Sequence, residues 1–383
     1  MPFFESKMPS VGDSIFSKMS ALALQHGAVN LSQGFPNYDC SELLQNLVVE
    51  AVRSQKNQYA PMAGLPELRA QIAQKTLSHY GVAYCPNDEI TVTVGGTQAI
   101  FTAVAAVVHA QDEVIIIEPA YDSYEPAVLA CGGKAVFVPL NPHSFEYDWA
   151  AVAAAITPRT KAIMLNSPHN PTGKMMDAND IFCLERIVQN TNLVLISDEV
   201  YEHITFDGVP HLSFCQSEIL RSHSFVISSF GKTYHTTGWK IGYCLAPAYF
   251  TQEFRKVHQF NVFSVNTPMQ HALAEFLKQP EHYQNLPDFY AEKRNFFRDL
   301  MQKTPFELLP CSGTFFQMAN YAAVSELNAM DFAHWLVREV GVAVVPISPF
   351  YKQKTEQKLV RFCFAKTPET LTQGVEKLRQ YFG

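Results

Sequence analysis

The sequence predicts an α/β protein with a large, mostly parallel β-sheet covered by helices on both faces, followed by a smaller α+β domain. Three observations carry this. From Glu89 onward, short β-branched or apolar runs alternate with helical patterns and show no repeat of fixed period. These runs close on small, polar or proline-containing turns. After Lys240 the alternation gives way to longer helical stretches. A chain of 383 residues is also too long for one simple core. The expected division is an N-terminal segment over 1–40 that joins the small domain, a large domain over 41–279 and a small domain over 280–383.

Behind Asp13 and Ser14, both capping types, Ile15, Met19, Leu22 and Ala23 recur at helical spacing. Gly34 and Pro36 then break the chain, and a turn glycine is the local reading. Asn57 to Arg69 leads from a turn into a helix, with Tyr59 reading as a packing residue. Ile90 to Val94 is a β-branched strand, Gly95-Gly96-Thr97 breaks it, and Gln98 to Ala110 is an apolar helix. Small residues before a helix suit an anion, because free N–H groups and the helix dipole meet there, and they equally suit tight strand-to-helix packing.

Glu113 to Pro119 is the next strand, followed by Tyr121 and Tyr124. Lys134 to Pro139 and Lys161 to Asn166 are further strands around a helix near Asp148 to Ile156, and the second runs into the turn-rich Ser167-Pro-His-Asn170-Pro-Thr-Gly173. The strand from Asn192 closes on Asp198. That carboxylate either caps a following helix or faces a cation, since burying it unpaired costs several kcal/mol. Ser224 to Ser229 is a buried-strand pattern, and Lys232 stands where its apolar run ends, with Lys240 eight residues further on. Two ammonium groups at one strand end require an anion between them or a depressed pKa, which suggests a bound phosphate beside a reactive lysine.

Beyond Lys240, aromatics at Phe260 and Phe263 mark a turn, a helix begins near Pro268, and another crosses Asp288 to Thr304. Gln357 to Phe364 alternates, with Arg361 among apolar neighbours. It is either an edge-strand arginine facing water or a buried one in need of a carboxylate.

Composition narrows the class. With 47% hydrophobic and 17% charged residues the chain is an ordinary globular protein, and a net charge of −7 argues against a general nucleic-acid surface. Eight scattered cysteines without a C-x-x-C pair read as reduced thiols rather than disulfides or metal ligands, so a cytoplasmic setting is expected and no metal site. The start, Met1-Pro-Phe-Phe-Glu, lacks a signal pattern, and no run reaches the ~18 apolar residues of a membrane span. No G-x-G-x-x-G follows a strand, which argues against a nicotinamide dehydrogenase.

The segment Ser229-Phe-Gly-Lys232 with Lys240 resembles the Schiff-base lysine segment of the fold-type I pyridoxal-phosphate enzymes, specifically the class I aminotransferases. Nearly the whole chain shares the resemblance: Gln33-Gly34-Phe35-Pro36, Tyr59 ahead of Gly64 and Leu68-Arg69, Asn170-Pro-Thr-Gly173, Asp198-Glu-Val-Tyr201 and Val360-Arg361-Phe362 stand in the family's order. The resemblance implies a seven-stranded sheet and the cofactor pyridoxal 5′-phosphate. It implies that Lys232 carries the cofactor and shuttles the proton, Asp198 meets the ring nitrogen, Asn170 and Tyr201 the phenolic oxygen, and Tyr121 the ring face. Gly96, Thr97, Ser229 and Lys240 are then phosphate ligands, joined by Tyr59 from the partner of a homodimer. Arg361 and Asn170, with backbone at Gly34, would take the substrate carboxylate. Lys240 departs from the arginine many members carry, exchanging a bidentate fork for a point charge.

Gln-Gly-Phe-Pro, Tyr-x-Pro-Met-Ala-Gly and Arg-Phe-Cys-Phe are similar to the branch holding kynurenine, glutamine and bacterial methionine aminotransferases. The implied substrate is a large apolar or sulfur-containing amino acid, methionine first, then phenylalanine, tyrosine, leucine, glutamine or kynurenine. Phe16, Phe35, Tyr59 and Phe263 are candidates for the apolar pocket wall, and no second arginine motif stands ready for a dicarboxylate. Two alternatives remain open: a kynurenine or glutamine aminotransferase with β-elimination of cysteine S-conjugates, and a non-catalytic cofactor-binding regulator. The second lacks a basic helix-turn-helix pattern and the length for one.

Overall fold

The computed structural model describes residues 5–353 and 355–383; the reading of the start of the chain rests in part on residues 1–4, outside the described residues. The N-terminal helix α1 (Ile15–His26) starts on Ser14, whose hydroxyl accepts from the Phe16 N–H, and buries Ile15, Met19 and Ala23. Strand β1 (Val29–Asn30) follows, then helices α2 (Glu42–Arg53) and α3 (Pro66–Tyr80).

Seven strands make the main sheet: β2 (Ile90–Thr93), β3 (Glu113–Glu118), β4 (Lys134–Pro139), β5 (Thr160–Asn166), β6 (Val194–Asp198), β7 (Ser224–Ser229) and β8 (Gly242–Leu245). They lie in the order β2-β8-β7-β6-β5-β3-β4, and β8 alone runs against its neighbours. Every residue of β3 and β6 is buried, which is why their centres, Val114–Ile117 and Val194–Ile196, read as apolar runs. The side chains of β3, β5 and β6 divide by parity. Ile115, Ile117, Ile163 and Leu165 join one core, whereas Val114, Ile116, Met164 and Ile196 join the other beneath helix α4 (Gly95–Val107). The edge strand β4 is only partly covered.

Helix α4 begins three residues earlier than the glycine break implies and ends at Val107 rather than Ala110. Gly95 turns the chain by itself at φ +70°, and a Cβ on Gly96 would come 2.9 Å from Val200, so the glycines form the first helical turn.

Four short strands, β9 (Glu307–Leu308), β10 (Phe316–Asn320), β12 (Val345–Pro346) and β13 (Leu359–Cys363), form an antiparallel sheet in the order β12-β13-β10-β9. Between them in sequence, β11 (Val342–Ala343) pairs in parallel with β1, tying the N-terminal segment to this part of the chain. The long helix Leu286–Met301 starts two residues before the expected Asp288. No described helix is long and apolar enough to cross a membrane.

A buried charge cluster spans α3, β7, β8 and the turn after β6. Lys75 Nζ lies 2.7 Å from Glu202 Oε2 and 2.7 Å from the Tyr243 hydroxyl, and Glu202 also accepts from Tyr80 (2.7 Å), Tyr243 (2.9 Å) and Ser228. Each donor faces an acceptor, so the cluster is tolerated, and removing one ion strands the other. Lys75→Met is therefore expected to lower unfolding free energy by about 3–5 kcal/mol; an unchanged denaturant midpoint would show that Glu202 needs no counter-ion.

Candidate active site

The carboxyl ends of the parallel strands open into one cavity of about 440 Å³, the size of a small-ligand site. The turn after β2 contributes Gly95, Gly96 and Thr97, that after β3 contributes Tyr121, and β5 with its turn contributes Asn166 and Asn170. β6 and its turn supply Asp198 and Tyr201, and β7 with its connection to β8 supplies Ser229, Lys232 and Lys240. α1 closes one side with Phe16, Ser17 and Ser20, beside Gly34 and Phe35, and the small sheet adds Phe316 and Arg361.

Lys232 sits on a single helical turn, Phe230–Thr233, straight after β7. Its Nζ donates to the Gly34 carbonyl at 2.9 Å and stands 5.2 Å and 5.5 Å from the ring centroids of Phe315 and Tyr201. Burial is the main cause of a pKa brought down from 10.5 to about 8, and the positive charges of Arg361 and Lys240 add to it. A sizeable neutral fraction exists near neutrality, as a nucleophile or base requires.

Asp198 closes β6 and no helix follows it, which removes the capping alternative. Its carboxylate accepts from the Tyr124 hydroxyl at 2.6 Å and the Val200 N–H at 3.4 Å, while its own carbonyl takes the Asn166 amide at 2.7 Å. Desolvation raises its pKa from 3.8 to about 6. A buried carboxylate held this way, with no ion pair among the described residues, is prepared for a cation that binds in the cavity.

Arg361 lies on β13, which is flanked by β10 and β12 and is not an edge strand; the side chain is 1% exposed. Nη1 donates to Asn170 Oδ1 at 2.5 Å and Nη2 to the Ser32 carbonyl at 3.3 Å, while Nε has no partner among the described residues. The guanidinium rests 3.7 Å from the Phe316 ring centroid. Burial pulls its pKa down from 12.5 to about 10. A buried arginine without a carboxylate is a ready anion site. Its bond to Asn170 Oδ1 leaves the Asn170 amide nitrogen for the cavity.

At the opposite end, Lys240 adopts the left-handed conformation (φ 56°). Its exposed side chain brings Nζ to 3.5 Å from where a Gly95 Cβ would stand. An ammonium group, the free N–H groups at the start of α4 and the Thr97 and Ser229 hydroxyls thus border the same cavity.

Two residues expected at the pocket wall lie outside this cavity. Tyr59 (81% exposed) and Phe263 (55% exposed) pack edge-to-face on each other, 5.2 Å between centroids, on the surface. Phe263 sits at φ +68° in the turn after the helix that ends at Asn261. Sequence reasoning also missed Tyr124 and Asn166, which hold Asp198, and Ser17, Ser20 and Gln33 on the pocket wall. The spacing of Tyr124 three residues after Tyr121, on one side of a helical turn, was the available signal for the first.

The family model described as aminotransferase class I and II matches residues 27–378. The chain is 47% identical over 377 residues to the methionine aminotransferase of Escherichia coli strain K12, covering 98% of each. Among solved structures it is similar to an E. coli protein whose crystal structure and reactivity identify a methionine aminotransferase function (46% identity, TM-score 0.97, 99% of this chain and 100% of that one). It is also similar to N-succinyldiaminopimelate aminotransferase of Mycobacterium tuberculosis (36% identity, TM-score 0.94, 98% and 99% coverage).

In the cofactor-free protein, acylation of Lys232 is expected to rise about tenfold per pH unit and level off near pH 8. An ordinary exposed lysine goes on rising to about 10.4. Peptide mass spectrometry after competitive labelling measures this, and a Lys232 profile with no break near pH 8 would count against the perturbed amine.

Proposed function

The chain belongs to the aminotransferase class I and II family, whose cofactor is pyridoxal 5′-phosphate, and from that membership we propose that it transfers the amino group of methionine, and of other large apolar or aromatic amino acids, to a 2-oxo acid. The observation that carries the reading is Arg361: a buried guanidinium with an orphaned Nε, no carboxylate partner among the described residues and Asn170 at its side. An α-carboxylate supplies the missing anion.

The residues present fit the cofactor. The Lys240 ammonium lies over the glycine turn, where Gly95 holds a left-handed φ of +70° that disfavours a side chain, and Asp198 is a buried carboxylate in want of a cation. Lys232 would hold the group covalently, Asp198 would face the ring nitrogen, and Asn170 and Tyr201 the phenolic oxygen. Tyr121 would cover a ring face, and Gly96, Thr97, Ser229 and Lys240 would hold the phosphate. When bound, the cofactor supplies a carbonyl that takes up the amino group and a ring that accepts the electrons freed at Cα.

The chain's own residues do the rest. Arg361 and the Asn170 amide fix the carboxylate, which sets the angle of the Cα–H bond. The Lys232 amine, partly neutral near pH 8, takes the Cα proton and later returns one. Asp198, held by Tyr124, keeps its charge directed into the cavity. Phe16, Phe35 and Phe316 exclude water and give the side chain an apolar wall suited to a thioether. Among the described lining residues the cations are Lys232, Lys240 and Arg361, each already engaged in this scheme. None is left for a distal carboxylate, which favours methionine over N-succinyldiaminopimelate.

The same reading includes a homodimer in which Tyr59, exposed and stacked on Phe263, reaches the phosphate of a second copy. It includes the division into 1–40, 41–279 and 280–383, supported by the β1–β11 pairing across the ends of the chain. It also includes a reducing, cytoplasmic setting, supported by eight free thiols.

Adding methionine to the purified holoenzyme without a 2-oxo acid is expected to abolish the cofactor's visible absorbance band and release one equivalent of keto acid per site. Lys232→Ala should do neither. A wild-type band that ignores methionine would overturn the substrate, and the absence of any band after supplying pyridoxal 5′-phosphate would overturn the function. Arg361→Lys keeps the charge but loses the fork, and should raise KM for methionine on the order of a hundredfold; steady-state kinetics with KM within twofold of wild type would assign the carboxylate elsewhere.

A further inference from the structure

We propose that Lys366 is a positioning residue for carboxylate binding, setting the Gln33–Phe35 turn so that the Gly34 N–H is presented to the substrate. The proposal rests on the aminotransferase reading above. Lys366 follows β13, is 3% exposed, and has no ion-pair partner among the described residues. Burying an ammonium group without a carboxylate is costly, so its retention calls for a return. Its Nζ donates to the Gln33 carbonyl at 3.2 Å and the Phe35 carbonyl at 2.6 Å, and stands 5.0 Å from the Phe35 ring centroid.

The four successive carbonyls of Ser32, Gln33, Gly34 and Phe35 all end on cations: Arg361, Lys366, Lys232 and Lys366 again. A peptide unit is planar and trans, so a Gln33 carbonyl aimed at Lys366 turns the Gly34 N–H away from it. That N–H has no partner among the described residues, and Gly34 borders the cavity together with Arg361 and Asn170. A side chain here would strike the Phe316 ring, with a Cβ at 2.8 Å, so the backbone itself stands at the site.

Two of the three cations have other work. Lys232 leaves the Gly34 carbonyl when its amine serves at Cα, and Arg361 shares its fork with the arriving carboxylate. Lys366 touches neither and keeps the turn in place while they move. Downstream, Asn37 reinforces it, accepting from the Thr367 N–H (2.8 Å) and donating to the Thr370 hydroxyl (2.8 Å).

The test measures binding to the holoenzyme of 4-(methylthio)butanoate, which has the carboxylate without the amine, and of 3-(methylthio)propylamine, which has the amine without the carboxylate. Lys366→Met should weaken the butanoate about tenfold, leave the amine within about twofold, and Lys366→Arg should recover most of the loss. Unchanged butanoate binding, or equal loss of both ligands, overturns the proposal. Should Lys366→Met fail to fold, Lys366→Gln, which retains a donor, should show a loss of about threefold confined to the butanoate, and an equal loss of both again overturns it. A wild-type holoenzyme that ignores the butanoate defeats the aminotransferase reading itself, and this proposal with it.

Discussion

The structure turns on a guanidinium buried without a carboxylate. Arg361 reaches the cavity from the small antiparallel sheet and is met by Asn170 from the turn after β5 of the large one, so the bond between them links the surroundings of the two sheets. Desolvation opposes its charge, and a ring face, an amide oxygen and a backbone carbonyl offset that cost only in part. The remainder is available to an incoming anion. A capacity for an anion is in this sense stored in the resting protein, as strain in its electrostatics rather than in its backbone.

The same economy governs two further titratable groups of the cavity. Burial moves Lys232 and Asp198 toward each other, one down to about 8 and the other up to about 6. Both lie within reach of neutral pH, so each can change state for a small free-energy difference. Tyr124 prevents Asp198 from drifting further, because a hydroxyl donated at 2.6 Å favours the ionised carboxylate. The floor of the site is rigid for a separate reason: Glu202 and Ser228, each adjacent in sequence to a cavity residue, are locked into the Lys75 cluster below.

The sheet was legible because strands buried on both faces have apolar centres, as Val114–Ile117 of β3 and Val194–Ile196 of β6 do. Lys232 and Asp198 stood out because each follows an apolar run with a charge at its carboxyl end, whereas Asn170, in a turn four residues beyond β5, stood out only through the Asn-Pro-Thr-Gly resemblance. Tyr124, Asn166, Ser32 and Lys366 did not. Their partners lie 74, 32, 329 and 331 residues away, and only the folded chain brings them together. Tyr59 and Phe263 lie outside the chain's own cavity, and an aromatic near a turn reads the same whether it faces its own pocket or the outside. Helix α4 shows the limit of glycine as punctuation: the pair that looked like a break is the first turn of the helix.

The reversal of β8 has a consequence for how this fold can vary. Because β7 and β8 are antiparallel neighbours, the chain turns back at the cavity's edge, and one short connection carries both Lys232 and Lys240. A parallel β8 would have required a crossover to the far side of the sheet, with the two ammonium groups on independent segments. Here they share a single hairpin-like lever, pinned by Ser229 opposite Gly242. An insertion or deletion between Lys232 and Lys240 would change the distance between the two ammonium groups that this connection sets, so its length is part of the geometry of the cavity.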